Sequence, residues 1–303
     1  MKTIIDPGRA HTPVTMREGI IFSHVIDLAG KPLDLPLTLL SAQPLKRDGS
    51  DADKKLPTLI WVNGGAWRTT IDMDNAMLPE FIFLARQGYN VVFFHYRNSD
   101  EGTFPAQIVD LNTCIRFLRA NAGRYGVDPD RIGVFGRSAG GHLTSFAAMN
   151  TDDFISDEWP GVSSKIQCGI DMFGPANLAP LVQEDIKGFA KPNPRWTSHE
   201  QTHTGMLLGT WHGDLDAYVA DAAKASPINY INDNLCPLLI MHGDADPVVP
   251  LYISEGFYEK LQEAGHTGTD LYILKGAGHG TPEFFQDSTK EIVLSFFDKH
   301  LKG

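Results

Sequence analysis

The chain has 303 residues, 42% hydrophobic and 21% charged, which are the proportions of a globular protein and exclude a disordered or fibrous one. It carries 26 basic against 37 acidic side chains, a net charge of −11, with no basic block. A nucleic-acid partner is therefore not expected, because phosphate binding needs a positive surface.

At the start, MKTIIDPGRAHTPVT lacks the apolar core of a signal peptide, and no later run reaches the ~18–20 apolar residues of a membrane helix. A cytoplasmic chain with no membrane partner is the simplest expectation. Two strands are predicted near 19–27 and 36–42, pairing antiparallel at one sheet edge. AQPLKRDGSDADKKL (42–56) is polar and turn-rich and reads as a surface loop. Then short apolar runs alternate with longer helical patterns. TLIWV (58–62), NVVFFHY (90–96), RIGVF (131–135), IQCGIDMF (166–173), PLLIMH (237–242) and DLYIL (270–274) read as buried strands, as a parallel sheet covered on both faces requires. Helices are predicted over 77–87, 105–124, 138–149, 251–264 and 284–300. The class is α/β, with a mostly parallel sheet and helices on both faces. The fifty residues from 174 to 225 exceed one crossover helix and read as a small lid inserted in a single domain spanning 1–303, or else as a longer crossover with its own packing.

Three cysteines, Cys114, Cys168 and Cys236, form no C-x-x-C pair, so neither a disulfide framework nor a cysteine zinc site is expected. His199 and His203 are four apart but have no acidic or cysteine neighbours to complete a metal site. With no G-x-G-x-x-G or P-loop pattern either, no metal or other cofactor is expected.

The chemistry is concentrated in RIGVFGRSAGGHL, which contains G-x-S-x-G as Gly136, Arg137, Ser138, Ala139 and Gly140. It follows a predicted strand and opens a predicted helix. A serine in that tight turn stands exposed at the strand's C-terminal end, above a helix N-terminus that favours developing negative charge. A hydroxyl needs a base, and the base needs an orienting acid. His279, in KGAGHG, is surrounded by glycines and claimed by no helix or strand pattern. Asp246, in HGDADPVVP, follows another predicted strand, with Asp244 its first rival and Asp171 a weaker one. His242 ends a buried strand and reads as structural. The order Ser, Asp, His is that of α/β hydrolases. NGGAW (63–67) follows the first parallel strand, and its glycines allow N–H groups to turn into a cleft. The oxyanion donors are expected from Gly65 or Ala66, with Ala139.

NGGAW, YRNS, FPAQIVD, RYGVDPDRIGVFGRSAGGHL, ASPINYI, HGDADPVVP and GAGHG follow in the order found in α/β-hydrolase esterases. From about residue 58 to the C-terminus the chain resembles bacterial feruloyl and acetyl esterases, near the hormone-sensitive-lipase-like carboxylesterases. The resemblance implies an α/β-hydrolase fold with Ser138 as nucleophile, Asp246 as acid, His279 as base, and 64–67 as the oxyanion loop. The family usually has His where this chain has Asn63, which can still hydrogen-bond. Arg137 either places positive charge at the site or turns to solvent. Trp67 is a further candidate for substrate contact, or else a buried Trp closing a Gly-Gly turn. Trp196 and Trp211 either stack on a phenolic acyl group or belong to the core. The expected activity is hydrolysis of acetyl or feruloyl esters, on a small molecule or a plant-derived oligosaccharide. An arylformamidase-like amide hydrolase is the alternative within the fold, and a non-catalytic binding module the alternative outside catalysis. An edge strand or the lid could support a homodimer.

Overall fold

The computed structural model describes residues 3, 13–43, 52, 54–68, 75–189, 198–209 and 214–303. Eight strands form one sheet: β1 (Thr15–Ile26), β2 (Pro32–Ser41), β3 (Leu56–Val62), β4 (Asn90–Phe94), β5 (Val127–Arg137), β6 (Cys168–Met172), β7 (Leu238–Gly243) and β8 (Thr269–Leu274). Their order is β1-β2-β4-β3-β5-β6-β7-β8. β1 pairs antiparallel with β2 and β2 antiparallel with β4, and every later pairing is parallel. The predicted antiparallel edge is present, and the strand residues alternate between two cores. Ile60, Val62 and Val134 face one core with α2 (Ala106–Ala120), α4 (Ala139–Ala148) and α8 (Leu251–Glu263). Leu59, Trp61 and Phe135 face the other with α1 (Leu78–Arg86) and α9 (Asp287–Leu301). Helices on both faces are what make these strands apolar on both sides. The fold is that of an α/β hydrolase.

Three details differ from expectation. The helix predicted over 105–124 breaks after Ala120, and α3 (Ala122–Tyr125) follows. At the break the Phe117 carbonyl accepts twice from Asn121, from its backbone N–H at 3.0 Å and from its Nδ2–H at 2.9 Å, a side-chain bond back onto the preceding turn. α9 starts at Asp287, because Pro282–Phe285 forms a separate 3₁₀ turn. β8 is an edge strand rather than a buried one, and Tyr272 and Ile273 are about half exposed (44% and 48%).

Residues 174–225 carry α5 (Ala179–Phe189), α6 (His203–Leu208) and α7 (Leu215–Lys224). The segment leaves and returns at one point, where Leu178 N–H donates to Ser226 Oγ (2.8 Å) and Ile228 N–H to the Ala176 carbonyl (3.1 Å). Its Leu178, Val182, Leu207, Tyr218 and Ala222 are buried in the main core, so the described part packs against the rest of the fold. Trp196 and Trp211 lie outside the described residues. No described helix is long and apolar enough to cross a membrane.

Candidate active site

Four loops meet at the C-terminal rim of the parallel strands, following β3, β5, β7 and β8. The one after β5 is the tightest. Ser138 has φ 53° and ψ −120°, a strained conformation for a residue with a side chain. Its N–H is held by the Met172 carbonyl at 2.8 Å, and its own carbonyl accepts from His142 N–H at 3.0 Å, the first helical bond of α4. The flanking glycines are sterically required. A Cβ on Gly136 would lie 2.5 Å from the Gly140 carbonyl oxygen. The N-terminus of α4 thus lies directly beneath the hydroxyl, its positive end facing any oxyanion formed there.

The loops after β7 and β8 bring the other two predicted residues to this serine. His279 Nε2 is 2.9 Å from Ser138 Oγ, and His279 Nδ1 is 2.7 Å from Asp246 Oδ2. The two loops interlock through Ala245 N–H and the Ala277 carbonyl (3.0 Å), and a Cβ on Gly243 would collide with that same carbonyl. The Phe173 ring packs edge-on against the imidazole, centroids 4.7 Å apart. The Asp246 side chain is fully buried, and its Oδ1 accepts from the N–H groups of Val248 (2.8 Å) and Val249 (3.0 Å). Burial pushes its carboxyl up, but the hydrogen bonds from His242, His279 and Val248 outweigh burial and hold it well below the usual carboxylate range.

The rival acids have other partners. Asp244 Oδ1 accepts from Gly276 N–H at 2.5 Å and so ties the β7 loop to the β8 loop. Asp171 is buried between Ser145 Oγ (2.6 Å) and Gly174 N–H (2.7 Å), its carboxyl raised by burial. His242 is buried, donates Nε2–H to the Val249 carbonyl (2.8 Å) and stands 3.5 Å from Asp246, bracing the acid loop.

After β3 the backbone takes three consecutive positive φ values: 104° at Gly65, 54° at Ala66 and 57° at Trp67. The loop lies against the serine turn, so a Cβ on Gly64 would meet the Arg137 carbonyl at 2.9 Å. Among the described residues no acceptor meets the amides of Gly65, Ala66 or Ala139. Tyr96 Oη–H donates to the Asn63 carbonyl (2.9 Å), and the Trp67 carbonyl accepts from Ser99 through both N–H (2.7 Å) and Oγ–H (3.0 Å). Asn63 itself is buried. Ser99 follows Arg97, whose guanidinium pairs with buried Asp110 on α2, Nη2 to Oδ1 at 2.6 Å and Nε to Oδ2 at 2.9 Å. The YRNS and FPAQIVD segments therefore form a scaffold for this loop.

Two residues expected to contact substrate make internal contacts. Trp67 is 4% exposed and donates Nε1–H to His142 Nδ1 (3.3 Å), so its indole braces the loop from below. Arg137 is half-buried, and its guanidinium carbon lies 5.8 Å from the Trp61 ring centroid, over the face of a core side chain. Sequence reasoning also passed over His142. The available signal is its spacing, four residues beyond Ser138, which places it one helical turn away on a helix buried on all sides. Among the described residues no group of three or more His, Cys, Asp or Glu is placed to hold a metal ion.

Comparison with known proteins agrees with this architecture. The BD-FAE family matches residues 49–261. The esterase LipQ of Mycobacterium tuberculosis is 29% identical over 231 residues, covering 75% of this chain and 50% of that protein. The esterase LipC of the same organism is 30% identical over 229 residues, covering 75% and 53%. The chain spans about half the length of the curated relatives it matches. Among solved structures, a truncated form of a carbohydrate esterase from gut microbiota has a TM-score of 0.76 at 26% identity, over 98% of this chain and 99% of that one.

Proposed function

The chain belongs to the BD-FAE family, and from that premise we propose that it is a serine carboxylesterase acting through Ser138, His279 and Asp246. The observation that carries this reading is the unbroken relay of 2.9 Å and 2.7 Å from Ser138 Oγ through the imidazole to a buried carboxylate. His279 Nε2 takes the hydroxyl proton as Oγ attacks the ester carbonyl carbon. Asp246 keeps the other proton on Nδ1 and stabilises the imidazolium without accepting it. The carbonyl π electrons move to oxygen, which the amides of Ala139 and of Gly65 or Ala66 receive above the α4 N-terminus. Collapse expels the alcohol, protonated by His279. Water repeats the sequence on the acyl-enzyme and releases the acid.

The substrate reading is an acetyl or feruloyl ester of a small molecule or an oligosaccharide. Its support is the carbohydrate-esterase neighbour, matched over nearly the whole of both chains. Hydrolysis of p-nitrophenyl acetate, methyl ferulate, an acetylated xylo-oligosaccharide and N-formylkynurenine, with Ser138→Ala as the blank, tests both levels. Ester turnover lost in the variant is the expected result. Undiminished turnover in Ser138→Ala overturns the mechanism, and preference for the formamide overturns the ester reading.

A further inference from the structure

We propose that His142 is a positioning residue for the oxyanion loop: it locks Trp67 through a ring nitrogen whose role is set by a bond to the end of the inserted segment. The inference rests on the esterase reading above.

The oxyanion loop needs a lock because Ala66 and Trp67 stand side by side in the left-handed region, which residues with a Cβ rarely adopt. Its carbonyl side is held by Tyr96 and Ser99. Its side-chain anchor is the Trp67 indole, whose only polar atom is a donor and so requires an acceptor. That acceptor is His142 Nδ1, at 3.3 Å with the two rings nearly perpendicular (81°).

An imidazole nitrogen accepts only if it carries no proton. His142 Nε2 lies 2.7 Å from the Ala225 carbonyl, which can only accept, so the proton sits on Nε2 and Nδ1 is left open to Trp67. Ala225 is the residue that follows α7, where the inserted segment rejoins the fold. Complete burial also favours the neutral ring. On the other side, His142 N–H bonds to the carbonyl of Ser138. One residue therefore spans the nucleophile, the loop that would receive the oxyanion, and the root of the insertion. A second aromatic, Phe146, packs edge-on against the same imidazole, centroids 5.1 Å apart.

The test uses the full chain with a short p-nitrophenyl ester, and compares His142→Leu, His142→Gln, Trp67→Phe and the Trp67→Phe/His142→Leu double variant. The lock predicts that His142→Leu lowers kcat about tenfold or more with KM within about twofold, since a misplaced oxyanion donor costs turnover rather than binding. Trp67→Phe is expected to do the same, and the double variant no more than the worse single. His142→Gln recovers most of kcat, because its amide can accept from Trp67 and donate to Ala225. Multiplying losses in the double variant, a change confined to KM, or unchanged kcat in folded His142→Leu overturns the proposal. The Trp67 indole N–H, assigned in an NMR spectrum by its loss in Trp67→Phe, supplies a readout independent of turnover. It is expected to be protected from exchange in the wild type and exposed to it in His142→Leu. Wild-type protein without esterase turnover defeats the ester reading alone, while an indole signal indifferent to His142→Leu defeats the lock.

Discussion

Gly140 and Val62 touch backbone to backbone: a methyl group on Gly140 would stand 1.9 Å from the Val62 carbonyl oxygen. Neither side can yield cheaply, since Gly140 lies in the first turn of α4 and Val62 is paired with Gly136 in the sheet. Gly140→Ala is expected to cost about 3 kcal/mol or more, read from urea unfolding. Gly256, inside α8 with nothing within 4 Å of its would-be Cβ, is the control. There the same substitution should stabilise by about 0.8–1 kcal/mol.

Asp246 and Asp244 are two residues apart but differ in what they hold. Asp246→Asn is expected to lower kcat by about 10⁴, because the imidazole loses the carboxylate that fixes its tautomer. Asp244→Asn keeps kcat within about threefold and loses on the order of 1 kcal/mol of stability, the worth of its bond to Gly276. Steady-state kinetics on the two purified variants decides the assignment, and the reverse ranking would make Asp244 the acid.

The buried His142 gives stability a dependence on pH. Its folded value is pushed down to about 4 by burial, against an ordinary 6.5. Above about pH 6.5 neither the folded nor the unfolded chain protonates it. Between about 6.5 and 4 only the unfolded chain takes the proton, so stability falls as pH falls through that window, by on the order of 3 kcal/mol in all. Below about 4 both states carry it and the contribution no longer changes. His142→Gln should flatten this limb by about one proton in denaturation curves taken from pH 4 to 7, and parallel curves would show that the ring does not titrate this way.

Asp110 is 2% exposed and Arg97 17%, so their pair is largely out of water. Breaking such a pair from one side leaves a charge without its partner. Asp110→Asn is expected to cost about 3 kcal/mol and to lower kcat, because Arg97 carries the chain to Ser99 and so to the Trp67 carbonyl. Chemical denaturation and kinetics on one preparation check both effects, and stability within 0.5 kcal/mol of the wild type would contradict them.

The strand–helix alternation is legible in the sequence because parallel strands buried on both faces must be continuously apolar, and 59–62, 91–94 and 238–241 are. The serine, its base and its acid are legible because each sits among glycines or turn residues directly after such a strand. Edge position is not legible. LYIL in β8 is as apolar as the central strands, and it is exposed because β8 is the last strand of the sheet among the described residues. Trp67 illustrates the opposite error. An aromatic closing a Gly-Gly loop suggests substrate contact, yet its indole N–H is satisfied by His142, seventy-five residues away. Pairings of that range leave no local pattern.

The distances in sequence within the triad set an order of assembly. Acid and base are 33 residues apart and belong to one β7–α8–β8 unit, whereas nucleophile and base are 141 residues apart and meet only when β5, β6 and β7 have aligned. Closing the longer loop costs more chain entropy before any contact repays it. During refolding from denaturant, helical ellipticity should therefore return ahead of reactivity toward a fluorophosphonate. Activity is then a reporter of the alignment of β5 with β7, a step beyond the formation of the helices themselves.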